Sequence, residues 1–523
     1  MSSTPGLLSD NMGAGGGLQK ETNWWGAFVI GLAGTILVTG IAPIMVNAFG
    51  AAAIPQMAVI TVSGYLLCLM LAELSAMMPD RTGGSPTYAM AAYRDKSPVL
   101  AGHVNGATCW AYWLGWFPVA PLNMILASFY LKDRFGWGDI GTFTPISTPI
   151  AWTTVIIAVV GIIGIFIPAY LGIRLGAAFA TVLGLLAMIP LTFLALGAIF
   201  RFDIADWGQL RGFPQVDGSS FFSDFGGHGW IAIYLAFAFL LTWNVIAMEA
   251  AACYIGECKN PERDAKIAMN LEGAYGAFIY IMIPLSFVVI IGRDELAGLG
   301  FDPKTVFVTF AGKLFGGNAG SFLNWAVAIM LIVALALSAL NAIMGCARGL
   351  HQMAIDGQFP RIFARVNRHG VPSFAMAFNV VASIIVVFMG GAVQIYLFSN
   401  VGYLSSFLPV LLGYYLLRKN HPELHRPVRL PPYFAYIALA MFVFYLAIWA
   451  IGGPLYASLP LDTDFDPTTD NGDGKIYWIL GLLTLLAYIP FYLYRRYIED
   501  KRHPSEPVPP LTDVELSEVI RDK

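Results

Sequence analysis

The chain has 523 residues, of which 57% are hydrophobic and only 12% are charged. Soluble domains carry about 25% charged residues, so this composition excludes an ordinary soluble domain and predicts a membrane protein with many spans. The net charge of −3 indicates no nucleic-acid-binding surface, and the five cysteines, an odd number, predict no disulfide framework.

Twelve apolar segments are long enough, or nearly so, to cross a bilayer, which takes about 20 residues. In chain order they cover residues 24–49, 53–78, 99–131, 150–170, 175–200, 230–255, 273–291, 322–346, 374–389, 393–417, 434–458 and 476–494. The ninth is the shortest. These segments predict an all-α membrane protein with about 12 transmembrane helices embedded in a lipid bilayer.

The basic residues predict the orientation of the chain. Most of the 30 Lys and Arg residues fall in the loops after the even-numbered spans and in the C-terminal tail. Such residues accumulate on the cytoplasmic side, so we expect a multi-pass protein of the cytoplasmic or plasma membrane with both termini in the cytoplasm. The N-terminal tail would comprise residues 1–23 and the C-terminal tail residues 496–523.

Acidic residues cluster in the loop between the last two spans. Asp462, Asp464 and Asp466 alternate as the first ligands of a calcium loop do. However, Pro467 stands where that loop turns on a glycine, and Asp473 replaces its bidentate glutamate. We therefore expect a solvated acidic loop rather than a metal site.

An amide and a carboxylate, Asn244 and Glu249, lie inside the sixth span. A charged side chain at mid-membrane depth costs about 2.5–3.5 kcal/mol on insertion scales, so it usually faces a cavity, a partner or a substrate pathway. Burial disfavours the charged carboxylate, which favours a proton-linked role for Glu249. The structural alternative is a glutamate that braces a neighbouring helix.

The first and sixth spans both contain residues that interrupt a helix. Gly40 and Pro43 punctuate the first, and Pro43 cannot donate to the carbonyl of Thr39. Broken helices at this depth are tolerated where they line a cavity, and their ends attract a substrate carboxylate or a cation. Two of them, five spans apart, predict an inverted repeat. The first five-helix repeat would cover residues 24–200, an extracytoplasmic loop 201–229, the second repeat 230–417, and helices 11 and 12 residues 418–495.

Four segments carry recognisable signatures. They are AELSAMMPDRTGGSPTYAMAAY at 72–93, HVNGATCWAYWLGW at 103–116, ECKNPERDA at 257–265 and NAIMGCARGLHQMAIDGQFPRIFARVNRHGVP at 341–372. In this order they resemble the amino acid–polyamine–organocation (APC) transporters over spans one to ten. The resemblance implies a LeuT-like fold with discontinuous helices 1 and 6. It also implies a secondary transporter of amino acids or small amines that works by alternating access, with no cofactor, metal or catalytic residue.

The same resemblance implies that the unwound backbone of the first and sixth spans holds the substrate. The matching positions are Val38, Thr39, Gly40 and Ile41 in the first span, and Trp243, Asn244, Val245, Ile246 and Ala247 in the sixth. Val38 and Ala247 replace family glycines, and their side chains leave a substrate carboxylate less room to approach the backbone. Trp243 stands where an aromatic side chain caps the substrate in arginine/agmatine-type exchangers, with an ordinary packing role as the alternative.

Further matching positions bear on coupling. Glu249 falls on the acidic residue that follows the break in many family members. Ala187 stands where proton-coupled members often carry a lysine that substitutes for a sodium ion, so that mechanism is unsupported here. Ala342 replaces the tryptophan that stacks on guanidinium substrates, so those substrates are disfavoured.

Candidate inner-gate residues are Glu73, Arg81 and Arg348, near the cytoplasmic ends of the second and eighth spans. The positive-inside bias alone also explains the two arginines. Two other functions stay open. One is an inorganic-ion cotransporter of the same fold, and the other is a non-transporting sensor or partner subunit, which the two lost glycines suggest.

Overall fold

The computed structural model describes residues 18, 20–94, 97–146, 148–225, 227–300, 302–316, 320–459 and 474–507, with the side chains of residues 320 and 321 left out of that description. Most of both predicted tails falls outside these ranges. The predicted acidic loop around Asp462, Asp464, Asp466 and Asp473 also lies outside the described residues.

Helices make up nearly all of the regular structure. The α-helices are α1 Trp24–Thr35, α2 Val38–Phe49, α3 Ala53–Met77, α4 Ala89–Tyr93, α5 Pro98–Trp116, α6 Val119–Phe135, α7 Trp152–Tyr170, α8 Ile173–Ala195, α9 Gly197–Phe200, α10 Trp230–Ile246, α11 Pro261–Ile291, α12 Arg293–Gly298, α13 Pro303–Leu314, α14 Gly320–Ile355, α15 Ser373–Val387, α16 Ala392–Asn420, α17 Phe434–Ala447, α18 Gly453–Tyr456, α19 Gly474–Leu486 and α20 Tyr488–Leu493.

Shorter elements join these helices. The 3-10 segments are Gly50–Ala52, Ser85–Tyr88, Trp207–Leu210, Ala247–Glu257 and Arg361–Ala364, and two π-helical segments cover Ile448–Gly452 and Tyr494–Glu499. The strands β1 Thr142–Phe143 and β2 Ile150–Ala151 pair antiparallel, with Thr142 opposite Ala151 and Phe143 opposite Ile150.

In the described ranges, 10 helical stretches are long and apolar enough to cross a membrane. The first of them, Trp24–Met77, has 54 residues and contains both of the first two predicted spans. The shorter apolar helix Ser373–Val387 covers most of the ninth. The predicted all-α, multi-span membrane fold is confirmed. The count of 12 crossings and the five-plus-five repeat stay predictions.

The helices differ in how much apolar surface they expose. On α7, large apolar side chains at Ile156, Val160 and Ile163 are 53%, 64% and 47% exposed, while Ala158 and Ile162 on the other face are fully buried. This spacing of three to four residues marks one lipid-facing side of a helix. In contrast, α1, α10 and the 3-10 segment Ala247–Glu257 are buried almost throughout, and α1 packs against that segment, α8, α11 and α14. These elements form the centre of the protein.

The sixth predicted span changes its helix type at the predicted place. α10 ends at Ile246, and the chain continues as the 3-10 segment from Ala247 to Glu257. A run of 3-10 helix this long is uncommon and marks a hinge or a strained stretch. The interruption lies where the sequence predicted unwinding.

The first predicted span is interrupted slightly before the predicted place. Ile36 and Leu37 separate α1 from α2, and the N–H groups of Thr39 and Gly40 donate to the carbonyls three residues back at 3.1 and 3.0 Å. The predicted unwound residues 38–41 are therefore helical. Pro43 lies within α2 and has no N–H to donate to the Thr39 carbonyl.

Candidate functional site

The two helix interruptions lie directly against each other. A Cβ added at Gly34 on α1 would come within 1.9 Å of the Ala247 carbonyl oxygen, and one at Gly31 within 2.6 Å of the Ala251 nitrogen. Any side chain at these glycines would push the two backbones apart. The sequence thus brings α1 and the 3-10 segment into backbone contact through small residues.

A tyrosine on α11 reaches both interruptions. The Tyr280 hydroxyl lies 3.0 Å from the Asn244 carbonyl and 3.3 Å from the Gly34 carbonyl. Carbonyl groups released by a helix break must find a new donor at membrane depth. The Tyr280 hydroxyl carries one proton, so it can donate to one of these two carbonyls at a time and lies between both interruptions.

A small cavity lies beside the paired interruptions. It is lined by Leu37, Gly115, Trp116, Val119, Trp243, Ala247 and Tyr403. Its empty volume is about 150 Å³, and it is too narrow to admit water. The centre of the protein is therefore closed in this conformation.

Trp243 forms one wall of this cavity. Its indole nitrogen donates to the Gly115 carbonyl at 3.0 Å, and its ring meets Tyr396 edge-on with a centroid distance of 4.4 Å. The Tyr396 hydroxyl donates to Asn244 Oδ1 at 3.3 Å and faces Gly40, where an added Cβ would lie 3.7 Å away. The structure thus brings together Gly40, Trp243, Asn244 and Ala247 among the predicted substrate residues.

The other predicted substrate residues offer no free polar group to a substrate through their side chains. Val38, Ile41 and Val245 are fully buried apolar side chains. The Thr39 hydroxyl donates to the Ile36 carbonyl of its own turn at 3.0 Å, a common use of a threonine within a helix.

Glu249 is fully buried in the 3-10 segment. Its Oε1 accepts hydrogen bonds from Tyr112 on α5 at 2.8 Å and from Tyr403 on α16 at 3.1 Å. Its Oε2 meets no donor with hydrogen-bonding geometry, although Ser85 and Trp116 lie close to the carboxylate. One oxygen is therefore satisfied by two helices, and the other has room for a proton.

A second buried carboxylate, Glu272 on α11, was not found from the sequence. Its Oε1 accepts from the Thr35 hydroxyl at 2.5 Å, and Thr35 is the last residue of α1. No donor reaches Oε2 within hydrogen-bonding geometry. The sequence does contain a signal for it, namely a lone acidic residue immediately before the seventh apolar span, which was predicted to begin at residue 273. The helix instead begins a full three turns earlier, at Pro261.

The three predicted gate residues all form buried ion pairs. Arg81 binds Asp356 through two hydrogen bonds of 3.1 and 2.5 Å. Arg348 binds Glu257, and both side chains are fully buried.

Glu73 lies at the end of α3 and accepts from several donors. They are Arg418, the Tyr414 hydroxyl at 3.1 Å and the Leu430 N–H at 3.0 Å. Arg426 also forms an ion pair with Glu73 at 3.0 Å. All three predicted gate residues therefore tie separate helices together at the end of the protein that the sequence predicts to be cytoplasmic.

Within the described ranges, no group of three or more His, Cys, Asp or Glu residues is placed to hold a metal ion. The buried polar groups at the centre are tyrosine hydroxyls, an amide and two carboxylates. Together with the long apolar helices, they define the class of the protein as a multi-span membrane transporter.

Comparison with known proteins identifies the family. The family model described as amino acid permease matches residues 23–484. The chain therefore belongs to the amino acid permease family, in agreement with the APC resemblance of its four motifs. Members of this family are permeases and not enzymes, so the protein is an amino acid transporter of the membrane.

Individual relatives cover most of the chain at low identity. An L-asparagine permease 1 from Mycobacterium tuberculosis is 26% identical over 414 residues, which cover 75% of this chain and 76% of that protein. An uncharacterized amino acid permease from Bacillus subtilis is 22% identical over 404 residues, covering 75% of this chain and 83% of its own. A putative arginine/ornithine antiporter from the same species is 26% identical over 341 residues, covering 62% and 66%.

Proposed function

We propose that this permease carries a neutral amino acid by alternating access through the space between its two helix interruptions, with Glu249 taking up and releasing a coupling proton. The observation that carries the proposal is the convergence of both interruptions and Trp243 on one closed cavity, whose lining residue Tyr403 also donates to the buried Glu249. A substrate would enter only when α1 and the 3-10 segment move apart, which is the change that alternating access requires.

The contacts of Glu249 support a proton-linked role. A proton on Oε2 would leave the bonds from Tyr112 and Tyr403 to Oε1 intact. Protonation therefore changes the charge behind the Tyr403 side of the cavity and leaves the Tyr403 hydrogen bond in place. A charged substrate amino group near the carboxylate would favour loss of that proton, which links substrate binding to proton release.

The chemistry of the cavity favours a neutral side chain on the substrate. Its lining is aromatic and apolar, and its one nearby carboxylate is already engaged by two tyrosines. The substrate named for the mycobacterial relative is L-asparagine, a neutral amino acid whose amide can use the Asn244 and Tyr396 pair. Arginine, ornithine and small amines are the alternative substrate classes.

We further propose that the protein lies in the cytoplasmic membrane with both termini in the cytoplasm. The bias of Lys and Arg towards the loops after even-numbered spans supports this orientation. In that orientation the ion pairs of Glu73, Arg81 and Arg348 close the cytoplasmic side, as inner-gate residues would.

The proposal is tested with purified protein in liposomes and radiolabelled asparagine, arginine, ornithine and small amines. We expect asparagine or another neutral amino acid to enter, faster with an inward proton gradient. The Trp243→Ala variant should lose uptake. The matched control is Trp449→Ala, because Trp449 also donates to a backbone carbonyl, that of Val401 at 2.9 Å, but outside the cavity.

Other outcomes would favour the alternatives. Uptake that requires internal substrate and ignores the proton gradient would identify an exchanger. Flux of an inorganic ion without any organic substrate would identify a cotransporter of another kind. Binding of an amino acid without flux, in protein shown to be folded, would support a sensor and contradict the proposal.

A further inference from the structure

A strongly basic pocket lies between the end of α16 and the start of α17. Four cationic side chains, Arg418, Lys419, Arg426 and Arg429, line this basic pocket together with Tyr415 and Tyr436. Its volume is about 410 Å³. The amino acid pathway proposed above does not use it.

The charges of the basic pocket are only partly balanced. Glu73 lies behind it and pairs with Arg418 and Arg426, whose side chains are 9% and 3% exposed. No carboxylate in the described ranges lies within ion-pair distance of Lys419 or Arg429, and both of these residues are exposed. The pocket thus carries more cations than carboxylates, even with Glu423 near Arg426, and Lys419 and Arg429 present the excess charge outward.

The basic pocket also lies at the edge of the apolar helices. α16 ends at Asn420, and α17 begins at Phe434. On α17, Tyr436 is 70% exposed and Val443 is 59% exposed, which is the pattern of a lipid-facing helix with an aromatic residue at its interface end. A ligand in the pocket would therefore have water on one side and the acyl region of the bilayer on the other.

We propose that the basic pocket binds the phosphate-bearing headgroup of an anionic phospholipid. Arginine guanidinium groups bind phosphate through paired hydrogen bonds, and basic pockets beside transmembrane helices recognise anionic headgroups in this way. The exposed apolar surface of α17 supplies the contact for the acyl chains. That surface is the reason to assign a lipid rather than free phosphate.

Two of the four cations are already engaged. Arg418 and Arg426 bind Glu73 on α3 and also bind backbone carbonyls of the loop between α16 and α17, including those of Leu430 and His421. These contacts hold the loop against the end of α3, so the exposed Lys419 and Arg429 are the side chains that would contact the phosphate.

The test measures binding of phosphatidylglycerol and phosphatidylcholine to the purified, delipidated full-length protein by native mass spectrometry. The variant is Lys419→Gln/Arg429→Gln, which leaves the Glu73 contacts intact. A basic residue near an anionic surface is worth about 1 kcal/mol, or about fivefold in affinity. We therefore expect the double variant to bind phosphatidylglycerol about 30-fold more weakly and phosphatidylcholine as the wild type does.

The matched control is Arg365→Gln/Arg368→Gln, which removes two exposed cations from the loop between α14 and α15. It should keep wild-type binding of phosphatidylglycerol. Equal losses in both double variants would mean general surface charge and would overturn the proposal, as would unchanged binding in Lys419→Gln/Arg429→Gln. Full displacement of the lipid by millimolar inorganic phosphate would identify a free-phosphate site and overturn the lipid assignment.

Discussion

The helix interruptions and the predicted cytoplasmic end of the protein are both closed and buried, but different contacts close them. At the interruptions, Gly34 touches the Ala247 backbone and the Tyr280 hydroxyl lies within hydrogen-bonding distance of a carbonyl from each side. At the predicted cytoplasmic end, pairs such as Arg348–Glu257 and Arg81–Asp356 join the helices.

The two kinds of contact differ in what it takes to open them. A tyrosine–carbonyl hydrogen bond is worth about 1 kcal/mol net and can be exchanged for a bond to substrate or water. A buried ion pair that loses one partner costs about 3–5 kcal/mol, because the remaining charge stays buried. The centre is therefore suited to rearrange around a substrate, whereas the predicted cytoplasmic end opens only when its charges reach water or new partners together.

The largest expected effect comes from removing one charge at the predicted cytoplasmic end. Arg348→Met leaves Glu257 buried without its partner, so the free energy of unfolding should fall by about 3–5 kcal/mol. The double variant Arg348→Met/Glu257→Met should recover most of this loss. Denaturation in detergent measures the free energy of unfolding of both variants. Equal destabilisation of the single and double variants would show that the loss of stability does not come from an unpaired Glu257.

The next effect concerns the contact between the interruptions. Gly34→Ala places a Cβ within 1.9 Å of the Ala247 carbonyl oxygen, and such overpacking costs about 1–3 kcal/mol. We expect the transport rate to fall by about tenfold or more. Gly164→Ala on α7 is the control, because a Cβ there meets no atom within 4 Å. If Gly34→Ala took up substrate at the wild-type rate, transport would not depend on this contact.

A smaller effect is expected at the cavity wall. Trp243→Phe keeps an aromatic ring beside Tyr396 but removes the 3.0 Å hydrogen bond to the Gly115 carbonyl. Loss of about 1 kcal/mol predicts a rise in KM of about fivefold with little change in the amount of folded protein. Trp449→Phe removes a similar bond to Val401 and should leave KM unchanged, so equal shifts in both variants would contradict a specific role for Trp243.

The smallest effect is expected at Glu272. Glutamine has the same shape as the neutral acid, and its carbonyl oxygen can still accept from Thr35. Glu272→Gln should therefore change the uptake rate by less than about twofold, whereas Glu272→Ala removes the acceptor and leaves the Thr35 hydroxyl buried, at a cost of about 1–3 kcal/mol. A large loss of uptake in Glu272→Gln would give this carboxylate a functional role of its own.

The sequence predicted the structure well where it depends on the properties of a single chain segment. The bilayer requires long apolar helices, and so the predicted spans agree with α3 and α16 to within a few residues at each end. The helix changes type at Ala247, within the stretch 245–247 where the sequence predicted a break. The first interruption was placed two residues too late, because its position was taken from the family pattern at residues 38–41, whereas the helix is interrupted at Ile36 and Leu37.

Contacts between distant helices could not be predicted in the same way. Glu73 and Arg418 are 345 positions apart in the chain, and Arg81 and Asp356 are 275 apart. Their pairing depends on how the helices pack, which hydrophobic periodicity does not encode. Glu272 was missed for a related reason, since the apolar pattern marked the seventh span but not the three turns of helix before it.

The central claim is that Glu249 couples proton movement to transport, and one measurement tests it most directly. Uptake of labelled asparagine, or of the best substrate of the panel, is compared with and without an inward proton gradient in wild type, Glu249→Gln and Glu272→Gln. Exchange against internal substrate is measured alongside. We predict that Glu249→Gln keeps exchange but loses the stimulation by the gradient, while Glu272→Gln keeps both. Full proton stimulation in Glu249→Gln would contradict the account.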